Sequence, residues 1–486
     1  MMQPTDLDAA LADRLAGTVP DLLDRFAEQT PDKTAVCFLN SMGGAQTIDA
    51  AGLRRRAWGI AHRILEAGGA GERVLLLLPP GIDYIASFMG CLYAGMVAVP
   101  AYPLDTRNIS LSLERLGSIV EDCEAQIALV NPSDSGEAQC LPELPGLPAR
   151  LTWVDVAAAP LADEPPPISR QVRDSVAFLQ YTSGSTGDPH GVEVTHRNLL
   201  ENLTAMHLAF EHNEASAVAS WLPPYHDMGL IGGILLPIFG GLTSWHMAPT
   251  TFIRRPALWL RAISEGRVTT TFAPNFAFDY IVTRLGSEDI AGFDLSCWHR
   301  AVNGAEPVRA ASLERFAEFA KPAGFRREAL APAYGLAEAT LMVTASPADR
   351  DLLVVELDRE ALAEGRAVKA EHAGGVVMVG CGHPARNTNI RIVDPESRVQ
   401  LQEGRVGEVW VAGPGVARGY RGRVEQSAEI FRAHLADDEG EEYLRTGDLG
   451  FILDGDLFLT GRVKDLIIDE GRNIYPPDVE EILERE

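Results

Sequence analysis

Residues 178–200 read FLQYTSGSTGDPHGVEVTHRNLL. An apolar run at 176–179 leads directly into Thr182, Ser183, Gly184, Ser185, Thr186 and Gly187. Glycines let backbone amides turn inward and hydroxyls add donors, so such a loop can cradle phosphate oxygens. No lysine follows the last glycine, which sets it apart from the P-loop pattern of nucleoside triphosphatases. Taken alone, six Ser, Thr and Gly residues read as a flexible turn. The position after a buried strand and before PHGVEVTH favours the phosphate-cradling reading over the flexible turn.

A loop of this kind needs a rigid sheet behind it. The first half of the chain alternates helix-like and strand-like segments. Amphipathic spacing predicts helices over 21–29, 53–67, 82–93 and 113–123. Continuous apolar runs predict strands at 34–39, 74–78, 96–100 and 127–130, with Pro79-Pro80-Gly81 as a break. This alternation implies a largely parallel sheet covered by helices. LADEPPPISR, residues 161–170, is a proline-rich connector, and beyond it the alternation resumes to about 344. After Pro347 shorter β-like runs at 376–379, 390–393 and 409–412 are separated by turn signals, which predicts a smaller β-rich subdomain. Gly455-Asp456 reads as a hairpin turn between 451–453 and 457–460.

The expected class is therefore α/β: two doubly wound, mostly parallel subdomains at about 1–170 and 171–346, and a β-rich subdomain at 347–464. Residues 465–486 read as a hinge and the start of an incomplete further domain, because the chain stops inside an amphipathic helical pattern that has no partner.

Composition limits the partners. The chain has 486 residues and a formal net charge of −26, which argues against binding a nucleic-acid backbone. A small anionic ligand remains open, since a local loop can overrule the global field. The acidic start MMQPTDLDAALADRL has no apolar core of a signal peptide, and no stretch approaches the ~18 apolar residues of a membrane span. Six scattered cysteines without a CxxC pair predict free buried thiols in a reducing cytoplasm.

The phosphate loop resembles the signature loop of the adenylate-forming superfamily, and further motifs agree in order. Asn303-Gly304-Ala305-Glu306-Pro307 resembles the adenine-pocket motif. Tyr334-Gly335-Leu336-Ala337-Glu338 resembles YGxTE, with Ala337 where Thr is usual. Tyr443-Leu444-Arg445-Thr446-Gly447-Asp448 resembles YxTGD, and Gly461-Arg462-Val463-Lys464-Asp465 resembles the GRxKD hinge motif. Within the superfamily the chain is most similar to the fatty acyl-AMP ligases, on WLPPYHDMGLIGG at 221–233, AVNGAEPVR at 301–309 and GRNIYPPDVE at 471–480. Residues 352–382 resemble the insertion that separates these ligases from acyl-CoA synthetases. In the family it is linked to rejecting coenzyme A and passing the acyl group to the phosphopantetheine arm of an acyl carrier protein, or of a carrier domain in a polyketide or peptide synthase.

The resemblance implies attack of a long-chain fatty carboxylate on the α-phosphorus of ATP, giving acyl-AMP and pyrophosphate. It implies that Thr182 to Gly187 hold the β- and γ-phosphates and that Glu338 holds Mg²⁺. Gly304, Ala305 and Glu306 would shape the adenine pocket, where Tyr334, followed by Gly335, stacks on the base. Asp448 would accept from both ribose hydroxyls, with Arg462 assisting at the ribose or phosphate, and Asp465 would be the hinge. His226 would lie near the acyl carboxylate and α-phosphate. Met228, Gly229, Ile231, Phe276 and Phe278 would line the acyl pocket.

Each role has a plainer competitor: a core tyrosine, a satisfied core histidine, a surface carboxylate or salt bridge, an ordinary apolar core. Two departures bear on activity. His190 stands where the family loop usually has Lys, and the C-terminal lysine that assists adenylation is missing along with most of its domain. The competing functions are an acyl-CoA synthetase, an amino-acid-activating domain and a non-catalytic adenylate-binding module.

Overall fold

Short apolar runs bounded by Gly and Pro form parallel strands, and the longer periodic stretches form the helices that cover them. The computed structural model describes residues 11, 14–102, 109–132, 151–167, 171–183, 189–348, 350–469 and 472–474. These divide into two units, each discontinuous in sequence.

The first unit takes in Met1–His207, His212–Ala262 and Ala417–Val424. Its six-stranded sheet runs in the order Thr152–Asp155, Ile127–Val130, Arg73–Leu76, Val97–Pro100, Val176–Ser183, Pro189–Thr195. The first five strands are parallel and the last is antiparallel. Helix Ile109–Cys123 closes one face, with Leu116, Val120 and Cys123 packed on Leu75, Val99, Ala128 and Leu179. Helix Ile82–Tyr93 is buried from Tyr84 to its end, as befits a helix apolar on all sides. A second group in this unit pairs Ala217–Ser220, Thr243–Met247 and Thr34–Leu39 in parallel, with Ala45–Asp49 antiparallel at its margin.

The second unit takes in Leu208–Glu211, Ile263–Val416 and Glu425–Glu486. Strands Thr270–Ala273, Arg300–Asn303 and Leu330–Gly335 are parallel, and Met342–Ala345 and His383–Pro384 add on antiparallel. A smaller antiparallel sheet joins Asn389–Val393, Gly407–Ala412, Asp438–Leu453 and Ala433–Leu435, with Asp456–Arg462 paired to the long third strand. The fold class is thus mixed α/β with parallel sheets and a smaller antiparallel one, as expected. Residues 352–382, which resemble the insertion, hold the antiparallel pair Val354–Leu357 and Val376–Val379 with helix Arg359–Ala363. Its Val355, Leu357, Leu362 and Val376 share a core with Leu449, Phe451 and Phe458.

One turn differs from expectation. The hairpin turns at Asp454 and Gly455, with φ of 53° and 82°, and Asp456 already begins the return strand. A two-residue turn with both central φ positive matches the twist of its flanking strands, and Asp-Gly supplies it. Five cysteines are free and buried, while Cys140 lies outside the described residues. No helix among the described residues is long and apolar enough to cross a membrane.

Candidate active site

In the second unit, Arg300–Asn303 and Leu330–Gly335 lie side by side in parallel, with Asn303 opposite Pro332. Ligands in open α/β sheets bind outside the carboxyl ends of such strands. Residues 304–306 leave the first strand and residues 336–340 leave the second. Each loop holds a non-glycine residue in the left-handed region: Ala305 at φ 67° and Thr340 at φ 69°. Such strain persists only where the surroundings impose it. The Thr340 hydroxyl donates to the Gly415 carbonyl at 2.7 Å. Gly335 is required by close approach, because a Cβ there would stand 1.9 Å from the Leu341 carbonyl oxygen. Glu338 is half-buried in the 3₁₀ turn Ala337–Ala339.

Tyr334 is buried, and its hydroxyl donates to Asp448 Oδ2 at 2.6 Å. Arg462 Nε donates to Asp448 Oδ1 at 3.1 Å. Burial raises the Asp448 pKa, and the Tyr334 hydrogen bond and Arg462 charge oppose it. The Asp448 side chain is 13% exposed and Arg462 61%, so the pair faces outward from a buried base. Asp448 and Arg462 are cross-strand partners in the hairpin, brought opposite by a one-residue shift between Leu449 and Gly450.

Sequence reasoning missed what holds this turn. Glu408 is 2% exposed, and its carboxylate accepts from Trp410 Nε1 at 2.9 Å, from Arg445 Nε and Nη2 at 3.1 and 3.0 Å, and from the Gly447 amide at 3.1 Å. Thr446 Oγ1 donates to the Val409 carbonyl at 2.7 Å and accepts from the Asp448 amide at 3.1 Å. The motif 445–448 is therefore fixed on both sides before any ligand arrives. The signal lay in GEVWV beside YLRTGD: a glutamate within an apolar strand needs a partner, and an arginine stood in the next strand.

Glu306 has a second duty. Its Oε1 accepts from the Phe276 amide at 2.6 Å, at the first turn of helix Asn275–Arg284. Phe276 is 43% exposed, whereas Phe278 is fully buried with its ring 5.0 Å from Phe316. These two aromatics do not share a surface. Asp465 ends the 3₁₀ turn Val463–Asp465, directly after Arg462.

In the first unit, strand Val176–Ser183 carries Thr182 and Ser183 to the carboxyl edge of the parallel sheet. Gly184, Ser185, Thr186 and Gly187 lie outside the described residues. His190, opposite Thr182 on the return strand, is buried with its ring edge-on to Tyr420 at 5.2 Å. The neighbouring strand Val97–Pro100 leads to Tyr102, whose hydroxyl meets His226 Nε2 at 3.0 Å. Its ring lies 4.6 Å from that of Tyr225.

The loop before His226 is pinned by two buried side chains, as Tyr84 donates to the Pro224 carbonyl and Gln180 to the Tyr225 carbonyl, both at 3.0 Å. Like Tyr102, these two act across sequence distances that no local pattern reports. His226 is exposed at its surface yet ringed by protein, and desolvation lowers its pKa, favouring a neutral ring. Asp227 caps the next segment by accepting from the Met228 amide at 2.7 Å, and burial pushes its carboxyl up to about 6. That segment, Met228–Leu235, is a π-helix rather than an ordinary helix, a rare form that is frequent at functional sites. It includes Met228, Gly229 and Ile231. Gly229 packs so near the preceding loop that a Cβ would stand 2.1 Å from the Pro223 carbonyl oxygen.

The pattern of the family described as AMP-binding enzyme matches residues 23–421. A medium-chain-fatty-acid–acyl-carrier-protein ligase of Moorena producens is 39% identical over 478 residues, covering 96% of this chain and 80% of that protein. A long-chain-fatty-acid–AMP ligase of Mycobacterium tuberculosis is 38% identical over 480 residues, covering 95% and 81%. Among solved structures, a fatty acyl-adenylate ligase from Legionella pneumophila in complex with acyl adenylate and pyrophosphate superposes with a TM-score of 0.85 at 38% identity, over 92% of this chain and 77% of that one.

Proposed function

The chain belongs to the AMP-binding enzyme family, and from that premise we propose that it is a fatty acyl-AMP ligase that hands its product to a carrier protein. A fatty carboxylate oxygen forms a bond to the α-phosphorus of ATP. The bond from that phosphorus to the bridging oxygen breaks, and pyrophosphate leaves with the electron pair. Such transfer is accelerated by positioning and by charge placed where it develops.

The observation that carries the reading is the Asp448 carboxylate, held at one oxygen by Tyr334 and at the other by Arg462. Ionised, it is an acceptor only, with lone pairs to spare for a ribose diol. Tyr334 and the strained turn at Gly304 to Glu306 border the adenine. Tyr102 orients the neutral His226 ring so that a nitrogen can donate to the reacting oxygens. Thr182 to Gly187 hold the distal phosphates, and Met228, Gly229 and Ile231 border the acyl chain.

Among the described residues no three His, Cys, Asp or Glu converge as a metal cage. The half-buried Glu338 suits Mg²⁺, which takes one or two carboxylates and fills its octahedron with water and phosphate oxygens. Bound there, Mg²⁺ would neutralise charge on the phosphates.

The test supplies the protein with ATP, Mg²⁺ and a fatty acid, and then either coenzyme A or a phosphopantetheinylated carrier protein. Mass spectrometry is expected to find acyl-AMP and acyl-carrier. Substantial acyl-CoA overturns the reading in favour of a synthetase, and no acyl-AMP from any fatty acid overturns it in favour of a binding module. Glu338→Ala is expected to abolish Mg²⁺-dependent acyl-AMP formation while the fold persists.

A further inference from the structure

Strand Thr243–Met247 ends beside a histidine that the reaction above does not use. His246 is 7% exposed, and its Nε2 has no hydrogen-bond partner among the described residues. Burial pushes its pKa down to about 4, so the ring is neutral near pH 7 and carries one donor and one acceptor nitrogen. A buried polar atom left unpaired is costly, and in a native interior it points to a water, a ligand or a function.

The ring's direction follows from the register. His246 is the parallel partner of Ser220, so the two side chains leave the same face of their strands. That face is the one covered by the π-helix, because a Cβ on Gly233 would stand 2.8 Å from Ser220 Oγ. Both residues sit at the carboxyl ends of parallel strands, the ligand side of such sheets. From Ser220 the chain runs directly to His226 and then into Met228–Leu235. The π-helix itself offers glycines and aliphatic side chains, MGLIGGIL, with no polar side chain of its own. An imidazole whose Nε2 is unpaired among the described residues is therefore set on the face that this apolar wall covers.

We infer that His246 is a specificity residue of the acyl pocket and that the substrate class is fatty acids carrying an oxygen on the chain, as a hydroxyl or keto group. The inference rests on the reading that Met228, Gly229 and Ile231 border the acyl chain. A neutral imidazole accepts from a hydroxyl or donates to a ketone, and an unsubstituted alkyl chain leaves it unpaired. Sites built to hydrogen-bond a substrate group reject the analogue that lacks it far more strongly than apolar pockets discriminate by size.

The experiment measures kcat/KM by pyrophosphate release for a positional series of monohydroxy and monoketo fatty acids, each against the unsubstituted acid of equal length. The enzymes are the native protein, His246→Leu and His246→Gln. At least one oxygenated acid is expected to exceed its parent by about tenfold or more in the native protein. His246→Leu is expected to erase or reverse that ratio, and His246→Gln to keep part of it. The inference is overturned if every oxygenated acid is poorer than its parent in the native protein, or if His246→Leu leaves the ratio unchanged. Should His246→Leu fail to fold by thermal melting, the native series and His246→Gln decide it. Turnover of the parent acids stands apart: acyl-AMP from any acid keeps the ligase reading whatever happens at His246, and none from all acids sinks that reading by itself.

Discussion

The Asp448 cluster of the second unit and the His226 region of the first are built on opposite principles. Around Asp448 nearly every polar atom is already spoken for, through Glu408, Arg445, Thr446, Tyr334 and Arg462. In the His226 region the segment that follows is apolar from Met228 to Leu235, it forms a π-helix, and desolvation favours the neutral form of both His226 and His246. A site for a constant ligand gains from being fixed in advance, because ordering is then complete before binding. A site for a variable apolar chain gains from smooth walls with few polar groups, each of which selects strongly.

The largest blow to this contrast is Glu408→Ala. It strands a largely buried Arg445, and breaking such a pair costs about 3–5 kcal/mol. Denaturant unfolding checks it, with Glu408→Gln expected to lose less. A loss under about 1 kcal/mol would mean the cluster is not braced as described.

Next in size is Asp448→Asn, which keeps shape and removes charge. The expected fall in kcat/KM for ATP is on the order of 10²-fold, about 2.7 kcal/mol, with the melting temperature nearly unchanged. An unchanged KM and kcat for ATP would detach the cluster from the nucleotide.

Asp227 supplies a pH test on the other side. Its folded carboxyl titrates at about 6, above the ordinary ~4 of an unfolded chain. The native state therefore retains a proton that the unfolded state has released. Stability from this group is full below about pH 4 and is lost as pH rises through about 6. Asp227→Asn is expected to flatten that decline by about 1–2 kcal/mol in melts run across this window. A decline of the same slope in the variant would assign it to other groups.

The smallest effect is expected from Tyr102→Phe, which removes the partner of His226 Nε2 and leaves the ring. A fall in kcat of about tenfold or less, with KM for ATP unmoved and the pH profile of kcat displaced, marks a positioning role. Parallel changes in kcat and melting temperature would mark a merely structural one.

Much of this was legible in the sequence because it is local. Strands Thr34–Leu39, Ile127–Val130 and Val376–Val379 and helix Ile82–Tyr93 match the expected bounds, since continuous apolar runs and a Pro-Pro-Gly break declare themselves. The motifs led to Tyr334, Asp448 and Arg462, which the structure brings together. Glu408, Tyr102, Tyr84 and Gln180 escaped notice because their partners are distant in sequence. The π-helix escaped because an apolar run with glycines has no period of its own to betray an extra residue per turn. The hairpin was read one residue late, at Gly455-Asp456, where the turn is centred on Asp454-Gly455.

That hairpin also carries a consequence for how the gene can change. Arg462 faces Asp448 only because a two-residue turn and a single shifted pair together set the alignment of two strands. Side chains alternate faces along a strand, so a residue added or deleted within the paired stretches, and not taken up by the turn or by a bulge, would swing Arg462 to the wrong side. Point substitutions in this stretch are graded in effect, whereas a one-codon insertion or deletion acts as a switch. Length drift, which surface loops absorb freely, is therefore costliest in the paired stretches on either side of the turn.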